Sequence, residues 1–196
     1  MKTLSQKIEE IDRQVGEYEK DMYILQINIP NIPHDSVAVS KDTSGNRVVR
    51  EWGEKRRFGF KPLSHEELGR RTGWLSFEKG AKVTGSAFPV FLGKGARLER
   101  ALINLMLELH TRKHGYEEVW VPHLVNRTSM FGTGQLPRME EDMYRLKEED
   151  YFLIPTAEVP VTNLYRDEVL REEELPRKYV CYTPCYRREA GSYGKE

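Results

Sequence analysis

Apolar residues recur at Leu4, Ile8, Ile11, Val15, Tyr18, Met22, Leu25 and Ile29, separated alternately by four and three positions. That heptad spacing predicts a helix from Met1 to Ile29 with one narrow apolar stripe, roughly 43 Å long at the α-helical rise. Between the stripe positions stand polar residues such as Gln6, Lys7, Glu9, Glu10, Asp12, Arg13 and Gln14. The stripe therefore wants either a partner helix, as in a coiled-coil arm, or the protein's own body. Gly16 is its weak point, at about 1 kcal/mol against alanine. Pro30 and Pro33 stop the helix, since both lack an amide donor and restrict the residue before them. A boundary falls there, dividing the chain into a helix over 1–30, a polar linker over 31–46 and a body over 47–196.

In the body, Arg47 to Trp52 is a candidate short strand. Ser64-His65-Glu66-Glu67 has the form of a capping box, opening a helix that Gly73 closes. Gly80 to Phe91, rich in glycine and in β-branched and aromatic residues, is expected to form a strand pair. Gly93-Lys94-Gly95 precedes a helix but lacks the third glycine of a dinucleotide-binding turn and the Ser or Thr of a Walker loop, so its glycines serve to turn the backbone. From Arg97 to His114, Leu98, Ala101, Leu102, Leu105, Met106 and Leu109 make a wide apolar helix face that suits a subunit interface. Tyr116 to Pro122 reads as an edge strand, because proline cannot donate to a central ladder. Asn126 to Leu136 reads as a turn-rich loop and Pro137 to Asp150 as a solvated charged run. Tyr151 to Pro155 is a buried strand by its apolar continuity, and Val159 to Leu170 returns to helical spacing. Strands without regular crossover helices predict an α+β fold with an antiparallel sheet and flanking helices.

Composition narrows the class. The 196 residues balance 31 Lys and Arg against 31 Asp and Glu, so no global basic field points to nucleic acid or membrane. A polyanion site would have to be local. No apolar run approaches a bilayer span and no signal-peptide core opens the chain, which predicts no membrane contact and a cytoplasmic location. Cys181 and Cys185 are the two cysteines. Their same-face spacing on a strand favours buried thiols over a disulfide, and no second ligand pair accompanies them, so no metal site is assigned.

The densest chemistry lies in Tyr182-Thr183-Pro184-Cys185-Tyr186-Arg187-Arg188-Glu189-Ala190-Gly191-Ser192. If Lys178 to Ala190 is a strand, Thr183, Cys185, Arg187 and Glu189 share one face. Arg187 and Glu189 would then stand roughly 7 Å apart, a spacing that suits two parts of one nucleotide. A salt bridge between the two is the structural alternative. This stretch resembles motif 2 of the class II aminoacyl-tRNA synthetases, in wording close to the seryl-tRNA synthetases. Leu153-Ile154-Pro155-Thr156-Ala157-Glu158-Val159-Pro160 is similar to that family's serine-binding loop, and Gly132-Thr133-Gly134-Gln135-Leu136-Pro137 to the segment before it. The helix from Arg97 and the strand ending at Pro122 resemble motif 1, the dimer interface of class II enzymes, and Gly80 to Ser86 also matches. The heptad helix resembles the second helix of the family's tRNA-binding coiled-coil arm.

The resemblance implies a serine-tRNA ligase that joins serine to ATP as seryl-adenylate and then transfers the acyl group to tRNA(Ser), with Mg2+ bridging the ATP phosphates. Arg187 would be the catalytic clamp on the α-phosphate, where a planar fork of donors serves better than an ammonium. Arg188 and Glu189 would join it in binding ATP, Glu189 accepting from the adenine amino group; Arg188, on the opposite strand face, could instead be a packing or surface residue. Thr156, Ala157 and Glu158 would bind serine, the glutamate taking the ammonium and Ala157 leaving space, unless they merely cap the strand end. Homodimerisation through motif 1 is implied as well. Motif 3 and the return strand of motif 2 do not occur in the sequence, and neither does the first arm helix. An N- and C-terminally incomplete member, inactive by itself, is thus the expectation. The alternatives are a non-catalytic synthetase-like binding or dimerisation module and a ligase charging a carrier protein.

Overall fold

The structure, a computed structural model, describes residues 2–86 and 88–188. It divides into two compact units, 1–61 and 62–196. In the first, helix α1 spans Lys2–Asn28. Its surface carries the short-range pairs that stabilise exposed helices, Arg13 bridging Glu10 at 2.8 Å and Glu17 at 3.2 Å. Asn28 finishes it by donating its side-chain amide to the Ile24 carbonyl at 2.8 Å, two residues before Pro30. All eight stripe residues remain 45–71% exposed. Arg47 to Trp52 forms no strand: a ladder needs a partner, and none of the described residues of this unit supplies one.

The second unit is mixed α and β. Helix α2 (His65–Thr72) starts at the expected capping box: the Glu67 amide donates to Ser64 Oγ at 3.2 Å, and the Ser64 amide donates to the Glu67 carboxylate at 2.9 Å. Gly73 closes it at φ 69°, a left-handed turn that costs glycine nothing. Ser64→Ala, removing one half of this reciprocal cap, is expected to lower stability by about 1 kcal/mol in urea denaturation, and Ser64→Asp by much less.

Strand β1 (Leu75–Ser76) pairs antiparallel with β2 (Val90–Phe91). Between them the expected strand pair is replaced by helix α3 (Phe77–Val83), which Ser76 caps by accepting from the Lys79 amide. Close packing accounts for the difference. Gly80 sits so near the Phe88 carbonyl that a Cβ would lie 1.6 Å from its oxygen, so this glycine serves a helix pressed against extended backbone. Helix α4 (Lys94–Lys113) follows Gly93, whose φ is 50°, and Gly95 lets it pass the Trp74 carbonyl. Leu98, Leu102, Leu105, Met106 and Leu109 on its wide apolar face are exposed.

Strand β3 (Glu117–Glu118) pairs with β6 (Tyr179–Val180), and that pairing is parallel, so the sheet structure is not antiparallel throughout. Strand β4 (Leu124–Asn126) pairs antiparallel with β5 (Tyr151–Leu153), Val125 opposite Phe152. The loop expected after Asn126 begins as helix α5 (Arg127–Gly132), because Asn126 accepts the Ser129 amide at 2.9 Å and starts it. Helix α6 (Glu158–Thr162) is shorter than its apolar spacing suggested and tightens into a 3-10 turn at Asn163–Tyr165. The core lies around β4 and β5: Val125, Met130, Leu136, Met143, Phe152, Ile154 and Val159 are buried together, with Tyr186 packed against them. Among the described residues no helix is long and apolar enough to cross a membrane.

Candidate active site

Three chain segments meet at the end of β5. The β4–β5 ladder continues one step as the Ile154 amide donates to the His123 carbonyl at 3.0 Å. The Ile154 carbonyl in turn accepts the Tyr186 amide at 2.9 Å, which docks the segment after β6 against the end of β5. Arg187, next in sequence, donates from Nε to the Pro155 carbonyl at 3.0 Å. Its guanidinium therefore reaches the residue immediately before Thr156. Arg187 and Thr156 line one cavity of about 250 Å³ together with Gln135, Met139, Asp142, Met143 and Pro155. A cation, a hydroxyl, an amide and a carboxylate thus converge on a space with apolar walls, the usual make-up of a small-molecule site.

The other expected site residues are placed differently. Thr156 is half-buried and its hydroxyl accepts from the Glu158 amide at 3.4 Å. Ala157 is half-buried just before α6, and Glu158, its first residue, is exposed; neither lines the cavity. Arg188 donates from Nη1 to the Glu141 carbonyl at 2.8 Å and lines a second pocket with Glu140, Glu141, Tyr144 and Arg145. Buried Met143 lines both spaces. Glu189 lies outside the described residues, as do Ala190, Gly191 and Ser192.

Among the described residues the strand expected from Lys178 to Ala190 is confined to β6. Without a ladder to impose the pleat, the inward positions shift. Cys181 and Thr183 are half-buried, Cys185 and Arg187 are exposed, and Tyr186 turns inward to fill a place beside Ile154. Thr183 Oγ1 is buried with no hydrogen-bond partner among the described residues. Both cysteines are free, and burial, followed by the nearby Cys185, pushes the Cys181 thiol up, which keeps it protonated at neutral pH. No group of three metal-ligating side chains occurs among the described residues.

The cavity wall formed by Met139, Asp142 and Met143 belongs to the charged run that the sequence presents as a solvated face. Part of that run closes instead into a ring of four ion pairs. Arg127 reaches Glu140 through both terminal nitrogens, at 2.6 and 3.1 Å, and Asp150 through Nε at 2.9 Å. Arg145 completes the ring, 3.5 Å from Glu140 and 3.0 Å from Asp150. Both guanidinium groups lie over the Phe152 ring, 5.2 and 5.8 Å from its centre. Gln135, also missed as a lining residue, stands inside the Gly132 to Pro137 stretch that the family resemblance singled out. Asp142 carried no signal that separates it from its charged neighbours.

The ring has a consequence in acid. Hydrogen bonding from Arg127, and then the charges of Arg127 and Arg145, hold the Glu140 carboxyl below its ordinary range, against burial and the Asp150 charge. The folded value is below the unfolded value of about 4.3, so the unfolded chain binds this proton more readily. Stabilisation from Glu140 is fully present above that unfolded value and is lost as the pH falls through the lower folded one. Because the ring is partly exposed, Glu140→Gln is expected to cost only about 1 kcal/mol at pH 7. The variant should also lose less stability than the parent between pH 7 and pH 3, an interval that contains the unfolded value. Urea denaturation at the two pH values checks both figures, and equal acid losses would remove Glu140 as a source of acid sensitivity.

The family described as tRNA synthetase class II core domain (G, H, P, S and T) matches residues 140–195. A serine-tRNA ligase of Bacillus cereus is 52% identical over 196 residues, all of this chain and 46% of the relative. Another, from Thermotoga neapolitana, is 59% identical over 172 residues, 88% of this chain and 40% of the relative. Among solved structures, seryl-tRNA synthetase from Pyrococcus horikoshii complexed with ATP superposes with a TM-score of 0.85 at 32% identity, covering 98% of this chain and 47% of its own. The cytoplasmic serine-tRNA ligase of Naegleria fowleri in complex with AMP gives 0.81 at 31% identity, over 96% and 45%. The chain spans slightly less than half the length of the curated relatives it matches. With Arg187 docked beside the end of β5, and with relatives this similar along all or nearly all of the sequence, the chain is similar to seryl-tRNA synthetases of class II throughout its length.

Proposed function

We propose that this chain supplies the serine- and ATP-binding wall of a serine-tRNA ligase. The observation that carries the reading is the Arg187 to Pro155 hydrogen bond, which sets the motif 2 arginine beside Thr156 on one cavity. In the proposed reaction a serine carboxylate oxygen attacks the α-phosphorus of ATP, the bond from that phosphorus to the β-phosphate oxygen breaks, and pyrophosphate leaves. Negative charge rises on the α-phosphoryl oxygens. Arg187, oriented by its Nε bond to backbone, sets its positive charge against those oxygens. Thr156 and Glu158 take the serine hydroxyl and ammonium, with Ala157 leaving space; Arg188 and Glu189 hold the nucleotide, Glu189 through the adenine amino group. Glu158 is exposed at the start of α6, so it serves serine from the rim.

Mg2+ would be held chiefly by the ATP phosphates, since Asp142 is the one carboxylate among the described residues that line the cavity, and this ion readily keeps phosphate and water ligands. It would supply charge neutralisation on the phosphates. The acyl group then passes to tRNA(Ser). In the same proposal residues 1–30 form the second helix of a coiled-coil arm that reaches the tRNA, residues 31–46 link it, and residues 47–196 are the first part of the catalytic domain. The exposed stripe of α1 supports the arm. The exposed apolar face of α4 supports a homodimer through motif 1. A cytoplasmic location belongs to the same reading.

The test places the segment in a whole enzyme. Residues 1–196 replace the aligned segment of the Bacillus cereus relative, and serine-dependent exchange of pyrophosphate into ATP is followed, then serine transfer to tRNA(Ser) and to carrier proteins. Serine-dependent exchange with transfer to tRNA(Ser) alone is expected. A folded, dimeric hybrid without exchange would overturn the assignment, and transfer to a carrier protein in place of tRNA would redirect it.

A further inference from the structure

Helix α4 ends in a pair of imidazoles that the proposed reaction does not use. His110 and His114 stand one helical turn apart, with ring centres 5.0 Å apart and their Nδ1 atoms 3.0 Å from each other. In the free protein that contact is a hydrogen bond, one Nδ1–H donating to the other ring's Nδ1 lone pair. The same separation is the one two cis ligands take around a metal ion. Two nitrogens about 2.0–2.1 Å from one ion and at right angles lie roughly 2.9 Å apart.

The pair is also held in place. Tyr116 meets the His110 ring edge-on at 5.5 Å. The His110 carbonyl accepts the amides of both His114 and Tyr116 at 3.2 Å, as Gly115 turns the chain at φ 68°. Only the rings must rotate to admit an ion. The C-terminal end of a long helix carries partial negative charge, which favours a cation there. Nearby Arg112 is drawn back along the helix by its ion pair with Glu108.

We propose that His110 and His114 form a bidentate site for a divalent transition-metal ion at the end of α4. On binding, the donor ring moves its proton from Nδ1 to Nε2, and both Nδ1 lone pairs then bond the ion, so a neutral pair releases no proton. No third His, Cys, Asp or Glu completes a cluster among the described residues, and water fills the remaining positions. That donor set suits Ni2+ or Cu2+, which accept imidazole in octahedral or tetragonal geometry. Structural Zn2+ sites use four protein ligands, and Mg2+ and Ca2+ prefer oxygen. The bound ion would staple the last turn of α4 and raise the melting temperature by binding only the folded state.

Isothermal titration of the untagged chain with NiCl2, paired with thermal unfolding, tests the site independently of any ligase activity. One Ni2+ per chain is expected, with a melting temperature that rises with Ni2+. His110→Ala and His114→Ala should each weaken binding by roughly tenfold or more. His114→Gln, which retains a polar group at the helix end, should do the same, and His34→Ala should leave binding unchanged. Circular dichroism confirms that each variant keeps its helix content. Absence of saturable binding up to about 1 mM Ni2+, or binding that survives loss of either histidine, would overturn the proposal.

Discussion

Arg187→Ala is expected to slow serine-dependent pyrophosphate exchange by roughly 10²–10³-fold in the hybrid enzyme, the usual cost of removing one preorganised donor aimed at developing charge. The side chain is exposed and makes its Nε bond to a backbone carbonyl at the cavity edge, so its removal should change stability by only about 0.5 kcal/mol. Lost activity could then be read as lost chemistry. Arg187→Lys restores the charge without the planar fork and should recover only part of the rate. If Arg187 acts mainly on the transition state, kcat and kcat/KM fall together; if it merely binds ATP, KM rises while kcat holds. Exchange within about threefold of the parent enzyme would remove Arg187 from the reaction and leave it a structural role.

Phe152→Ala is expected to lower the stability of residues 62–196 by about 3–5 kcal/mol, read as a fall in the urea midpoint. Phe152 is fully buried in the cluster with Met130, Ile154 and Val159, so truncation leaves a cavity in the densest part of the core. It is also the platform under Arg127 and Arg145. Losing the aromatic face removes cation–π contacts worth about 0.5–1 kcal/mol each at such partly exposed sites. Phe152→Leu separates the two effects, because it refills most of the volume but offers no π face. The leucine variant should recover most of the stability while the ring loses part of its acid sensitivity. A loss below about 1 kcal/mol for the alanine variant would mean that this cluster is not the folding core.

Legibility followed the range of the interaction that fixes each element. The capping box of α2 is written in four adjacent residues and forms as expected, with both reciprocal bonds present. The apolar run over 151–155 is buried in part: Phe152, Ile154 and Pro155 are buried, whereas Leu153 is half-buried and Tyr151 is exposed. Gly80 and Asn126 were harder, because each serves an element decided by a neighbour. Gly80 reads as a strand glycine until Phe88 is seen pressed against it, and Asn126 reads as a loop residue until its side chain caps α5. The charged run from Pro137 to Asp150 could not disclose its ring, since nothing local distinguishes an arginine that meets carboxylates over a buried phenylalanine from one in water. Motif wording carried the family resemblance, whereas the strand-face argument for Arg187 and Glu189 relied on a regular pleat that β6 does not extend that far.

The sequence by itself determined the heptad helix α1, the cap of α2, the apolar strand at β5 and the family resemblance, because each rests on residues close together along the chain. Tertiary structure decided which of the candidate residues meet. Arg187 and Pro155 are 32 positions apart and join on one cavity, while Arg188 turns to Glu141, 47 positions away. Two consecutive arginines with the same chemistry thus face different spaces. The physical reason is that Tyr186 buries itself beside Ile154 and sets the orientation of the backbone that follows, a packing choice made by the core and not by the local spacing.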